Sequence, residues 1–231
     1  MVDESKRIPK TSQPSPHQFV EFYRKIAQKG DTILSIHITA KLSGTYASCI
    51  SAAEELKNEF KIIPVDSELG SLGIGILCRE ARKMERAGKS IDEIVKYVDD
   101  VKKRSRVILT LDTLEYAKMS GRVKTLQAAL ASVLNVKPIA VLRDGDLKME
   151  ERVRTRKAAL DRVVEMAKNE YEDRPVILAA VHARDPKSGE ALLDDAKKHL
   201  NHREAILGEL GISIAANLGP GTVGLIVVPA N

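Results

Sequence analysis

The chain has 231 residues, 37 of them Lys or Arg and 32 Asp or Glu, for a formal net charge of +5. Hydrophobic residues at 43% and charged residues at 30% fit an ordinary globular protein of one large or two small domains and exclude disordered and collagen-like classes. No apolar run reaches the length of a membrane span, and with Trp absent and aromatics at 3% there is little to stack on nucleic-acid bases. The polar start Met1-Val2-Asp3-Glu4-Ser5 does not read as a secretory signal. Cys49 and Cys78 are too few for a disulfide scaffold; both fall in apolar helical patterns and read as buried thiols in a reducing cytoplasm.

The first half alternates helix and strand. Ser15-Pro16-His17-Gln18 is a helix start, with Ser as N-cap, Pro in the first turn and Gln reaching back. Phe19, Phe22, Tyr23 and Ile26 form its apolar face, and Gly30 closes it. Thr32 to Ile38 reads as a buried parallel strand. A helix after Ser43-Gly44-Thr45 is expected to turn Tyr46, Ile50, Ala53, Leu56 and Phe60 inward. Ile62 to Val65 is a short strand ending at Asp66-Ser67, and a long helix runs on to Gly88. Ser90-Ile91-Asp92-Glu93 is a second capping box, opening a helix with Ile94, Val98 and Val101 inward. Such repeated units imply an α/β domain over residues 1–104, with a parallel sheet covered on both faces.

Residues 105–231 read as an α+β domain with a mostly antiparallel sheet. Arg106 to Leu111 is a strand, followed by a helix ending at Ser120-Gly121. Asp144-Gly145 between two apolar runs is a hairpin signal. Thr155 to Tyr171 is a helix, Pro175 to His182 a strand, and Asp185-Pro186 starts another helix. A strand, a glycine cluster and a last strand complete the chain.

Ser43-Gly44-Thr45 sits past the carboxyl end of one parallel strand and opens a helix. Open α/β sheets bind ligands at that edge, and a helix start offers unpaired N–H groups to an anion. A plain turn and cap explains the spacing equally well. Thr11-Ser12-Gln13-Pro14-Ser15-Pro16 is a second hydroxyl-bearing loop, stiffened by its prolines. Ser67 is expected on the same sheet edge as Ser43. Gly219-Pro220-Gly221-Thr222-Val223-Gly224 has the letters of a dinucleotide fingerprint, but seven residues after it leave no room for the crossover helix. No nucleophile elbow, Walker loop or Cys-His metal spacing is present.

Several stretches together resemble the DegV family, the bacterial fatty-acid-binding proteins. They are Pro9-Lys10-Thr11-Ser12-Gln13-Pro14-Ser15-Pro16, Ser35-Ile36-His37-Ile38, Lys41-Leu42-Ser43-Gly44-Thr45-Tyr46 and Val65-Asp66-Ser67. Thr113-Leu114-Glu115-Tyr116, Ser120-Gly121-Arg122-Val123, Asn135-Val136-Lys137-Pro138-Ile139 and Gly219-Pro220-Gly221 extend the likeness through the chain. The resemblance implies a long-chain fatty acid in a tunnel at the domain junction, no cofactor, and a binding subunit rather than an enzyme. By the same resemblance Thr11 and Ser43 hold the carboxylate, Gly44 and Thr45 support it, and Ser12 and Ser67 assist. Some members present the carboxylate to a separate ATP-dependent fatty acid kinase, and Arg152, Arg154 and Arg156, with Lys157, would suit docking to it. Family members commonly carry a His before Gly-Pro-Gly; Asn217 stands there, an amide that donates without bringing charge. They also usually open with a further strand and an Asp-Ser-Thr loop. That unit is missing here, so the first domain is expected to lack a strand or to be completed by another copy.

The alternative function is a serine-dependent esterase or phosphotransfer enzyme using Ser43, although no residue is nominated as its base. A basic interaction module, detected by strongly salt-dependent DNA binding, is a third.

Overall fold

A computed structural model describes residues 9–121 and 136–230. Arg122, Val123 and Asn135 of the motifs above lie outside the described residues. The first part contains α1 (Pro16–Ile26), β1 (Thr32–His37), α2 (Thr45–Glu55), β2 (Lys61–Asp66), α3 (Leu72–Arg86) and α4 (Ile91–Arg104). Then come β3 (Arg106–Thr110), α5 (Glu115–Ser120), β4 (Lys137–Arg143), β5 (Asp146–Val153) and α6 (Arg156–Tyr171). The chain continues through β6 (Val176–His182), α7 (Pro186–His199), β7 (His202–Glu209), α8 (Ile212–Leu218) and β8 (Val223–Pro229).

Local chemistry sets several boundaries. The Ser15 hydroxyl accepts from Gln18 N at 3.2 Å while Gln18 Oε1 accepts from Ser15 N at 2.8 Å. Ser90 and Glu93 repeat the reciprocal cap on α4. Asp144 and Gly145, at φ 51° and 75°, make the tight turn between β4 and β5.

Two sheets organise the molecule. β1 and β2 pair in parallel, with Leu34 opposite Ile63 and Ile36 opposite Val65. The six-stranded sheet has order β5-β4-β3-β8-β6-β7, antiparallel throughout except for β6 beside β7. Helices α1 and α2 close one face of the small sheet through Val20, Tyr23, Cys49, Ala52 and Leu56, against which Ile33 and Ile62 pack. Its other face and one face of the large sheet share a core with Ile76 and Leu77 of α3 and Val98 and Val101 of α4. Helices α6 and α7 cover the far face of the large sheet. Strands β6 and β8 are buried along their whole length, as strands covered on both faces are, whereas β7 alternates with exposed residues.

Three local expectations are corrected. Helix α2 buries Ser48, Cys49 and Ala52, and Leu56 and Phe60 just past its end are buried as expected, whereas Ile50 is 46% exposed. Small residues face the crowded layer of α1, and the stripe of Tyr46, Ile50 and Ala53 lines a surface groove instead. Cys78 is exposed, not buried. Between β7 and the glycine cluster stands the short helix α8, where the sequence reading passes straight from a strand to the glycine cluster.

Candidate functional site

The Ser43-Gly44-Thr45 segment forms the start of α2. Ser43 N bonds Thr39 O at 3.2 Å, and the Ser43 hydroxyl accepts from Thr45 N at 3.3 Å. Its Oγ also lies 2.8 Å from Thr45 Oγ1, so two hydroxyls form one paired unit at the helix N-terminus. The Gln13 side chain lies directly over Gly44: a Cβ there would sit 2.3 Å from Gln13 Nε2. The Thr-Ser-Gln-Pro-Ser loop is thereby pressed against the α2 start.

From the other end of the chain, α8 brings Asn217 to the same place. Asn217 Nδ2 lies 3.3 Å from Thr11 Oγ1 and 2.6 Å from Ser213 O. At its C-terminus, Gly219 (φ 89°) lets the chain pass Tyr116, whose Cδ2 would lie 2.5 Å from a Cβ. The following Thr222 is buried and its hydroxyl donates to Leu218 O and Gly219 O. This cluster opens β8 rather than a helix, so the dinucleotide letters have no structural counterpart.

These elements enclose a cavity of about 510 Å³ between the small-sheet loops and the large sheet. Thr11, Ser12, Ser43, Gly44, Thr45 and Asn217 all line it. The remaining wall is largely apolar: Leu109, Leu142, Leu147, Val181, Leu210 and Ile214. Ser67 is not part of it. Ser67 is fully buried and its hydroxyl accepts from Leu69 N at 3.1 Å, shaping the turn that carries Leu69, Gly70 and Ser71 to the wall. Sequence reasoning missed Ser71 and Ser213 as lining residues; Ser71 takes φ 52°, a conformation costly for a non-glycine residue. Ser213 was findable only as the position one helical turn before Asn217, once α8 is known to be helical.

The basic cluster at the start of α6 divides. Arg152 and Arg154 are exposed. Arg156 turns inward: its Nη2 donates at 2.7 Å to both Asp185 Oδ2 and Gly221 O. Burial alone would raise the Asp185 carboxyl, but bonds from Ser188 and Arg156 hold it below its ordinary value. Arg156 therefore ties α6 to α7 and the glycine turn. Lys157 pairs with Asp161 at 2.6 Å.

His37 serves the layer between α1 and β1. Its Nε2 lies 2.8 Å from Ser35 Oγ, which is 2.6 Å from the Tyr23 hydroxyl, and its ring meets Phe19 edge-on at 5.3 Å. Burial pushes His37 below its ordinary value, with Asp66 pulling the other way. Among the described residues, no group of three His, Cys, Asp or Glu is placed to hold a metal ion, and no helix is long and apolar enough to cross a membrane.

A family model described as "Uncharacterised protein, DegV family COG1307" matches residues 1–230. The chain is 32% identical to a DegV domain-containing protein of Listeria innocua, over 97% of this chain and 80% of that one. A DegV family protein from Thermus thermophilus, described by its fatty acid binding, superposes with a TM-score of 0.90 at 32% identity, covering 96% of this chain and 79% of the other. A fatty acid binding DegV family protein from Streptococcus agalactiae gives 0.89 at 28% identity, covering 100% and 82%.

Proposed function

Since this chain belongs to the DegV family, we propose that it binds one long-chain fatty acid in the cavity, with the carboxylate at Thr11, Ser43 and Asn217. The observation that carries this reading is a single cavity with hydroxyls, an amide and a helix start at one region and branched apolar side chains over the rest. Carboxylates are favoured where N–H groups and hydroxyls converge, and the acyl chain gains about 0.8 kcal/mol for each methylene buried. Solved relatives described as fatty-acid-binding support the same ligand class.

Presentation of the carboxylate to an ATP-dependent kinase is part of the proposal. Ser43 and Thr45 are uncharged, so they hold the carboxylate without the neutralisation a Lys or Arg would impose, leaving it nucleophilic. Arg152 and Arg154 remain as the exposed basic side chains for docking. In this reading the protein acts in the cytoplasm and divides at residues 104/105. Self-association belongs to it too: β1 and β2 each have one strand neighbour among the described residues, and Phe22 and Ile26 of α1 are 54% and 56% exposed.

The esterase or phosphotransfer reading has less support, because the partners of Ser43 Oγ are the Thr45 hydroxyl and amide rather than a base. Native mass spectrometry of protein purified from cells tests the proposal. It should show a species heavier by one long-chain carboxylic acid, released on denaturation. Protein that carries no such mass and takes up no added palmitic acid overturns it.

A further inference from the structure

The cavity opens at its polar end. Ser12, Gln13, Pro14 and Ser213 of its wall are exposed, whereas Leu109, Leu142, Val181 and Leu218 are buried. A head group held at Ser43 therefore lies near the mouth, where water competes for its hydrogen bonds unless the protein supplies donors.

A carboxylate accepts at about four lone-pair positions. The polar groups described above are largely committed within the protein. Asn217 Nδ2 is placed against both Thr11 Oγ1 and Ser213 O. The Ser43 and Thr45 hydroxyls lie 2.8 Å apart, so one of their two protons sits between them.

Gln13 stands beside these groups without such a commitment. Its Nε2, Cδ and Oε1 are the three atoms nearest to where a Gly44 Cβ would be, with Cδ and Oε1 at 2.6 Å. The amide thus covers the backbone between Ser43 and Thr45, and Gln13 lines the cavity with them. Gln18, a few residues on, uses its amide to close the α1 cap, its Oε1 accepting from Ser15 N. Among the described residues no hydrogen bond holds the Gln13 amide, which leaves two N–H donors at the mouth. Pro14 restricts the Gln13 backbone to extended conformations, so the side chain is the part that adjusts to a ligand.

We infer that the Gln13 amide is a further ligand-binding group of this site: it donates to the carboxylate and covers it at the mouth, with Gly44 as its seat. The inference rests on the fatty-acid reading above and adds to it the residue that selects the head group. The amide is neutral, so it orients the carboxylate without cancelling its charge.

Dissociation constants for palmitic acid and for hexadecanol, a long chain whose head group carries no charge, test it. The proteins compared are the parent, Gln13→Ala, Gln13→Glu, Gly44→Ala and the double variant Gln13→Ala/Gly44→Ala, with thermal unfolding alongside. Gly44 has φ −74° and ψ 4°, which any residue can adopt, so alanine there adds a methyl group without backbone strain. Gln13→Ala should weaken palmitic acid about tenfold or more. Gln13→Glu should weaken it at least as much, because a charge of the ligand's own sign replaces the donor, while hexadecanol changes by less than about threefold. Gly44→Ala should weaken palmitic acid in the parent and add nothing in the Gln13→Ala background, where the amide it displaces is already gone. Unchanged palmitic acid affinity in Gln13→Ala, equal losses for acid and alcohol in Gln13→Glu, or a Gly44→Ala loss that persists in full in the Gln13→Ala background overturns the inference. A parent protein that binds no palmitic acid overturns the fatty-acid reading instead, so the two failures are distinct.

Discussion

The side-chain amide of Asn217 reaches the Thr11 hydroxyl across 3.3 Å of space and 206 residues of chain. The contact joins the loop before α1 to the helix before the glycine cluster, and both residues line the cavity. Asn217 keeps its orientation because Nδ2 also lies 2.6 Å from Ser213 O one helical turn back. The amide is thus fixed at the polar end by both of its N–H groups and is neutral at every physiological pH. Asn217→Asp keeps the shape but replaces that donor with a charge of the ligand's own sign. Fatty-acid affinity should fall by about tenfold or more, because like charges juxtaposed at a binding site are strongly penalised. Titration with palmitic acid at neutral pH reads the outcome, and undiminished affinity would remove Asn217 from the carboxylate cradle.

Ser43→Ala deletes a hydroxyl that is already paired with Thr45. A hydrogen bond to a charged group contributes about 1.5–3 kcal/mol, so affinity should drop about 10- to 150-fold while the midpoint of thermal unfolding stays near that of the parent. The dissociation rate of a bound fatty acid is the direct measurement.

Thr39→Val should destabilise the fold without touching the cradle. Thr39 is fully buried, and its hydroxyl donates at 2.8 Å to the Gly145 carbonyl in the β4–β5 turn. Valine leaves that buried carbonyl without its donor, a loss of about 1–3 kcal/mol. Thr39→Ser retains the donor and should recover much of the difference in urea denaturation.

Arg156→Ala and Arg154→Ala should separate cleanly. The first removes the guanidinium that bridges Asp185 and Gly221 O and should lower stability by about 1–3 kcal/mol. The second removes an exposed side chain and should change stability by less than about 0.5 kcal/mol. Thermal melts of both variants side by side decide the point.

Acidification should weaken the α1–β1 layer. The folded-state pKa of His37 lies below its ordinary 6.5, because burial penalises the imidazolium more than Asp66 favours it. The unfolded chain therefore takes up this proton first. The stability is fully present above the unfolded value and is lost as pH falls from there towards the folded value. Denaturation midpoints at neutral and mildly acidic pH should diverge for the parent protein and diverge less for His37→Gln.

Much of the architecture was legible because it rests on neighbours in sequence. The Ser15–Gln18 and Ser90–Glu93 caps and the Asp144-Gly145 turn each satisfy backbone groups within a few residues, so the letters carry the geometry. The Thr-Ser-Gln-Pro-Ser and Ser-Gly-Thr loops were readable as hydroxyl-bearing helix starts for the same reason, and the family resemblance rests on them.

Tertiary structure alone decided the rest. Helix α8 has seven residues, no side-chain cap and glycines at both caps; so short a helix is marginal alone and is held by burying Ala216 and Leu218. Helix α2 offers the stripe of Tyr46, Ile50 and Ala53 in sequence, and only the space left beside α1 selects Cys49 and Ala52 instead. Arg156 reads as one of a basic run until Asp185, a residue of another helix start, turns it inward. Sequence determines what its own near neighbours can satisfy; which side chains face a shared space depends on packing between segments far apart in the chain, and that is settled only when the layers close.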